Sequence, residues 1–178
     1  MIYDPERHHR RSTRLREYDY SQPGAYFVTL CSNERKCLFG RIVSTTVELS
    51  MAGKIGEEFW LGISGHFPNL ELDASVVMPN HVHGIIVITD QGAETARLRE
   101  PTLGQIIAYY KYQTTKLINL ALSTPGRTVW QRNYYDRVIR NQRELQTARE
   151  YVTNNPAQWE LDEENPDKAE ARDRHSRS

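Results

Sequence analysis

Residues 78–88 read MPNHVHGIIVI, and they constrain the fold more than any other stretch of the chain. Ile85, Ile86, Val87 and Ile88 follow one another without a polar break, the pattern of a strand buried on both faces. At the mouth of this strand stand His81 and His83, two residues apart and therefore on one face. Two neutral imidazoles a few ångströms apart form half of a divalent-metal site, and a rigid central strand would hold them there. The motif by itself is equally compatible with a hydrogen-bonded core histidine beside a surface one.

The elements around that strand follow from local signals. Gln22-Pro23-Gly24 marks a turn before a β-rich run over 25–32. A shorter β stretch over 41–49 forms a ribbon or leads into the first helix. Ser50 caps that helix, which runs to about residue 64 with Met51, Ile55, Phe59 and Ile63 at four-residue spacing, weakened by Gly53, Gly56 and Gly62. Phe67-Pro68-Asn69 precedes a strand over 70–78, and Pro79-Asn80 separates it from the histidine strand over 82–89. After a polar loop, Thr102 caps a long helix whose Leu103, Ile106, Ile107, Tyr110, Leu117, Ile118 and Ala121 keep the helical period. A further strand follows over 134–140, and Asn141 caps a last helix that Pro156 stops.

Strand, helix, strand, strand, helix, strand is the split βαβ, or ferredoxin-like, arrangement: an α+β fold with an antiparallel sheet and helices on one face. Its central strands are the first and third, which puts the histidines in mid-sheet. The last helix, which carries Tyr151, is an addition that packs near that sheet.

A chain of 178 residues suits one domain. Cys31 and Cys37, the only cysteines, make neither a disulfide framework nor a zinc site, so a reduced, cytoplasmic setting is expected. No apolar stretch approaches the roughly 20 residues that span a bilayer, and the first residues lack the apolar segment of a signal peptide. No membrane partner is expected. The net charge is zero, yet residues 102–149 carry eight basic side chains against two acidic ones, whereas residues 156–178 hold seven acids against four bases. A basic segment balanced by an acidic tail still binds phosphates, although such arginines also serve simply to solvate a helix face.

A pair of histidines leaves a metal site open, and hard ions such as Mg²⁺ or Mn²⁺ take oxygen ligands as well. Tyr151 and Asn155, four residues apart, share one helical face. Asn155 can offer a carbonyl oxygen to a metal, and Tyr151 can face a phosphate bound on it. A phenol with a pKa of about 10 needs a proton acceptor or a nearby cation to act as a nucleophile. On spacing alone the two read more simply as a helix aromatic packed on the sheet and a helix stop before proline.

MPNHVHGII, VWQRNYYDRVIR and REYVTNNPAQW, in that order, resemble the single-tyrosine HUH transposases, above all their REP-associated tyrosine transposase branch. The opening, YDYSQPGAYFVTLCSNERKCLFG, is similar to theirs as well, so the resemblance runs from about Arg14 to Pro166. It implies a ferredoxin-like palm that cleaves single-stranded DNA at hairpin-forming sequences with a divalent metal, Mg²⁺ or Mn²⁺. The cut would leave a 5′-phosphotyrosine link and a free 3′-hydroxyl that can rejoin the strand. Residue by residue, the resemblance implies that His81 and His83 are the metal pair, Asn155 a third ligand, and Tyr151 the attacking tyrosine. Tyr134 and Tyr135, in the second motif, are rival nucleophiles.

DNA binding would come from the basic residues Arg10, Arg11, Arg14, Lys111, Lys116, Arg127, Arg132, Arg137 and Arg140, with Trp130, Tyr134, Tyr109 or Tyr112 stacking on unpaired bases. Tyr109 and Tyr110 read equally as core residues. The expected organisation is a flexible basic arm over 1–20, a catalytic domain over 21–160 and a disordered acidic tail over 161–178. Relatives include monomers and dimers, so a homodimer stays open. Two other readings stand beside strand transfer: a non-cleaving regulator that binds hairpin or repeat DNA on the same fold, and a metal-dependent phosphoesterase that uses water.

Overall fold

The structure is a computed structural model that describes residues 20, 22–90, 101–162 and 164–166. The basic arm with Arg10, Arg11 and Arg14, and the tail beyond Pro166, lie outside the described residues. In chain order the elements are β1 (Gly24–Cys31), β2 (Gly40–Val43), β3 (Thr46–Leu49), α1 (Met51–Gly62), β4 (Leu70–Val77), β5 (His81–Ile88), α2 (Leu103–Ala121), β6 (Tyr135–Ile139) and α3 (Gln142–Asn154). A 3-10 segment, Pro156–Leu161, follows α3. β2 and β3 form a separate two-stranded ribbon; the main sheet has the order β4-β5-β1-β6, all neighbours antiparallel. This is the ferredoxin-like order, with β1 and β5 central as the sequence predicts.

Local chemistry sets the helix starts. The Ser50 side chain accepts from the Gly53 N–H, Thr102 and Gln105 close a capping box, and the Asn141 side chain accepts from the Glu144 N–H. α1 and α2 cover one face of the sheet. Tyr26, Val28 and Leu30 of β1 point into that layer and are fully buried, with Trp60, Ile106 and Tyr110 above them.

Of the stripe expected on α1, Ile63 is buried and Ile55 and Phe59 pack against the core, but the buried face is widened by one residue and leaves Met51 out. Met51 is 59% exposed, and the buried positions are Ala52, Gly53, Gly56 and Trp60. The glycines are the reason: they are contact points more than weaknesses. A Cβ on Gly53 would collide with the Phe39 carbonyl oxygen, and the Gly56 carbonyl accepts the Tyr110 hydroxyl at 2.9 Å. Gly84 on β5 does the same for the sheet, since any Cβ there would run into the Trp60 indole. Along α2, Thr114 joins the buried face while Leu117 is 39% exposed.

α3 lies on the opposite face. Alternation along β5 turns Gly84 toward Trp60 and His83 away from it, and the His83 ring meets Tyr151 of α3. Among the described residues no helix is long and apolar enough to cross a membrane.

Candidate active site

His81 and His83 are 0% and 2% exposed, opposite Cys31 and Thr29 of β1, with ring centroids 4.3 Å apart. Their tautomers follow from their neighbours. The Asn80 amide nitrogen donates to the Arg35 carbonyl at 3.0 Å and to the Glu164 carbonyl at 2.7 Å, so its oxygen must face His81. That oxygen lies 2.9 Å from His81 Nδ1 and can only accept, so Nδ1 carries the proton and Nε2 presents a lone pair. His83 Nδ1 is engaged by the Thr29 hydroxyl at 2.9 Å. Both Nε2 atoms are buried and have no hydrogen-bond partner among the described residues.

A similar arrangement holds Asn155, the residue that ends α3. Its amide nitrogen donates to Asp162 Oδ2 at 2.8 Å, which leaves its buried Oδ1 unpartnered. Asp162 Oδ2 is also 4.0 Å from His81 Nε2, and the ligand atoms of His81, His83 and Asp162 all lie within 4.8 Å of one another. Each buried polar atom left unpaired costs about 1–3 kcal/mol. Two imidazole nitrogens, an amide oxygen and a carboxylate meeting in one place fit a divalent cation. Burial, with the Arg35 charge adding to it and the Asn155 side chain opposing, pushes the His81 pKa down to about 3. Burial, with His81 adding, holds His83 well below the ordinary histidine range despite Asp162 and the Val28 backbone. Both rings are therefore neutral at pH 7, as metal ligands must be.

Asp162 is the residue the sequence reading missed. That reading placed it in a tail beginning at 161, whereas here Asp162 is buried. The chain turns back after Pro156 through the 3-10 segment, burying Asp162 and Asn165. Glu164 pairs with Arg35 at 3.0 Å. The only local hint was the proline-started turn directly after the tyrosine helix.

Tyr151 is 45% exposed; its ring stands edge-on to His83 at 5.1 Å and to Phe27 at 5.8 Å. It opens onto a groove of about 560 Å³ whose walls include Thr29, Tyr135, Arg137, Thr147 and Asn155. The structure thus brings His81, His83, Asn155 and Tyr151 together. Arg137 joins them from the groove wall, 3.5 Å from Glu144. Lys116, Arg127, Arg132 and Arg140 are exposed.

Other expected DNA contacts have structural work. Trp130 is 5% exposed, stacked on Phe39 at 4.7 Å, and its indole N–H donates to Thr114 at 2.9 Å. It cannot stack on a base without leaving the core. Lys111 donates to the carbonyls of Gln131 and Asn133 and lies over the Tyr134 ring, bracing the approach to β6. Tyr109 stacks on His66 at 4.0 Å in the α1–α2 layer, and Tyr110 is wholly buried.

A four-stranded ferredoxin-like sheet with a histidine pair beneath a helix tyrosine places this chain among proteins of the tyrosine-transposase fold. The structure of a REP-associated tyrosine transposase bound to a REP hairpin aligns with TM-score 0.54 over 82% of this chain and 73% of that one, at 18% identity. A candidate transposase of Deinococcus radiodurans aligns with TM-score 0.48 over 80% of this chain and 96% of that one, at 16% identity. No family model matches the sequence. Over 174 residues, 90% of this chain and 96% of its relative, it is 35% identical to an uncharacterized protein of Haemophilus influenzae, and the chain belongs to that protein's family.

Proposed function

We propose that this protein is a divalent-metal-dependent enzyme that cleaves and rejoins single-stranded DNA in the manner of a tyrosine transposase, with Tyr151 as nucleophile. One observation carries the reading: an accessible phenol beside two buried imidazoles whose Nε2 lone pairs, with Asn155 Oδ1, have no hydrogen-bond partner among the described residues. His81, His83, Asp162 and Asn155 would hold the cation. Their mixed nitrogen and oxygen set suits Mn²⁺ better than Mg²⁺, which prefers oxygen. When bound, the cation would polarise the scissile phosphate and steady the leaving oxygen.

The protein's own groups supply the rest. Asn80 and Thr29 keep both histidines oriented, while Phe27 and His83 flank the Tyr151 ring. The Tyr151 oxygen attacks phosphorus as its proton leaves to solvent, the bond from phosphorus to the 3′ oxygen breaks, and that oxygen takes up a proton. The products are a 5′-phosphotyrosine link and a free 3′-hydroxyl, and reversal rejoins the strand. Arg137 in the groove and exposed Lys116, Arg127, Arg132 and Arg140 would meet the DNA backbone. Hairpin DNA is the proposed substrate because the fold neighbour was solved with a REP hairpin.

The test is incubation with an end-labelled hairpin oligonucleotide and Mn²⁺. A covalent adduct is expected, abolished by chelation and by Tyr151→Phe. An adduct that survives Tyr151→Phe moves the nucleophile elsewhere, with Tyr135 on the same groove wall the first suspect. Product without an adduct indicates water-driven hydrolysis, and tight binding without cleavage under any divalent ion indicates a regulator.

A further inference from the structure

We infer that the ion pair between Asp73 of β4 and Arg149 of α3 is the device that sets Tyr151 over the histidines. The inference rests on the reading of Tyr151 as nucleophile. It starts from where the helix is anchored: Val152 is the one buried side chain of α3, and Asn155, just past its end, is buried against Asp162, so both buried anchors lie at its C-terminal end. A helix anchored at one end can swing and roll on a sheet, and a small roll carries a phenol at its rim by ångströms.

The Arg149 fork removes that freedom. Its Nε donates to Asp73 Oδ1 at 2.9 Å and its Nη2 to Oδ2 at 2.6 Å, two parallel bonds between planar groups. The receiving end is fixed as well. Asp73 lies where β4 carries one extra residue between Leu72 and Ser75, and the Ala74 N–H donates to Asp73 Oδ1 at 2.7 Å. A bulge of this kind re-aims a side chain out of the regular pleat. The Arg149 hydrogen bonds hold the Asp73 carboxyl below its ordinary pKa, so the pair is charged at neutral pH. The fork grips the helix over edge strand β4, and two residues later the Tyr151 ring meets His83 on the neighbouring strand β5. Arg149 is thereby a positioning residue for Tyr151.

The test uses the full-length chain with Mn²⁺ and a hairpin oligonucleotide. In Asp73→Asn and Arg149→Gln, kcat for adduct formation is expected to fall about 10- to 100-fold, the scale of an ångström's misplacement. KM for the hairpin should stay within about twofold and Mn²⁺ affinity should not change, the pattern of lost transition-state alignment. Exchanging the two residues, Asp73→Arg with Arg149→Asp, should restore most of kcat. Crystal structures should show the separation of the Tyr151 and His83 rings leaving 5.1 Å in Asp73→Asn and returning in the exchange variant.

Wild-type kcat together with unchanged ring separation in Asp73→Asn would overturn the positioning role. A rise in KM without a fall in kcat for Arg149→Gln would instead make that residue a DNA contact and overturn its positioning role. Should the wild type form no adduct under any ion, the nucleophile reading fails, and the crystal structures still decide whether the ion pair positions the ring.

Discussion

The two faces of the sheet are built on opposite terms. Beneath α1 and α2, glycines at 53, 56 and 84 admit close approach, Trp60, Tyr110 and Trp130 fill the space, and the buried Tyr110 hydroxyl and Trp130 indole both find acceptors. Beneath α3 there is one buried helix side chain, an ion pair, and a cluster of polar groups. Unpartnered atoms elsewhere, such as Trp60 Nε1 and Asn69 Nδ2, stand singly; on the α3 face those of His81, His83 and Asn155 meet. The first face is close-packed and specifies the fold. The second is left incomplete where a cation and a phosphate would complete it, the pattern expected when local rules are broken at a functional site.

Three substitutions test how separate the faces are. The largest effect is expected from Trp130→Ala, which should cost about 3–5 kcal/mol in chemical denaturation because it empties part of the packed face. Trp130→Phe keeps most of that volume and should leave hairpin affinity unchanged in fluorescence anisotropy. Weakened binding at full stability would instead give Trp130 a role in DNA contact and blur the division. On the other face, Asp162→Asn should lower Mn²⁺ affinity about 10- to 100-fold in titration calorimetry with little change in stability. Unchanged affinity would remove Asp162 from the ligand set.

The smallest effect concerns the ion pair. The Asp73 carboxyl is held below its ordinary pKa chiefly by the Arg149 hydrogen bonds, with the Ala74 N–H helping and burial opposing. Its contribution is therefore fully present above the unfolded-state value of about 4 and is lost as pH falls through the lower folded-state value. Wild type should be more stable than Asp73→Asn by on the order of 1 kcal/mol at neutral pH, and the gap should close in acid. A gap that stays constant with pH would mean that packing, not charge, holds α3.

Much of this was legible in the chain. The alternation of β-rich runs and capped helices led to the right order of elements, because strand and helix periods and the caps at Ser50, Thr102 and Asn141 are local properties. The histidine pair was legible for the same reason, since a spacing of two on a strand determines a shared face. On α1 the apolar spacing found Ile55, Phe59 and Ile63 but misjudged Met51, because hydrophobicity alone favours Met51 over Gly53, whereas close approach to Phe39 favours the glycine. Trp130, an aromatic amid arginines, reads in the sequence as a stacking platform, whereas the structure packs it against Phe39 and Thr114.

By itself the sequence determined which segments become strands and helices, that His81 and His83 share a side, and that Tyr151 and Asn155 share another. Only the tertiary structure decided that these two sides face each other, that Asp162 folds back to join them, and that Asp73 grips Arg149 from 76 residues away. The physical reason is range. Periodicity and capping act over a few residues, whereas a site drawn from β1, β5, α3 and the turn after it exists only once burial has brought distant segments into contact.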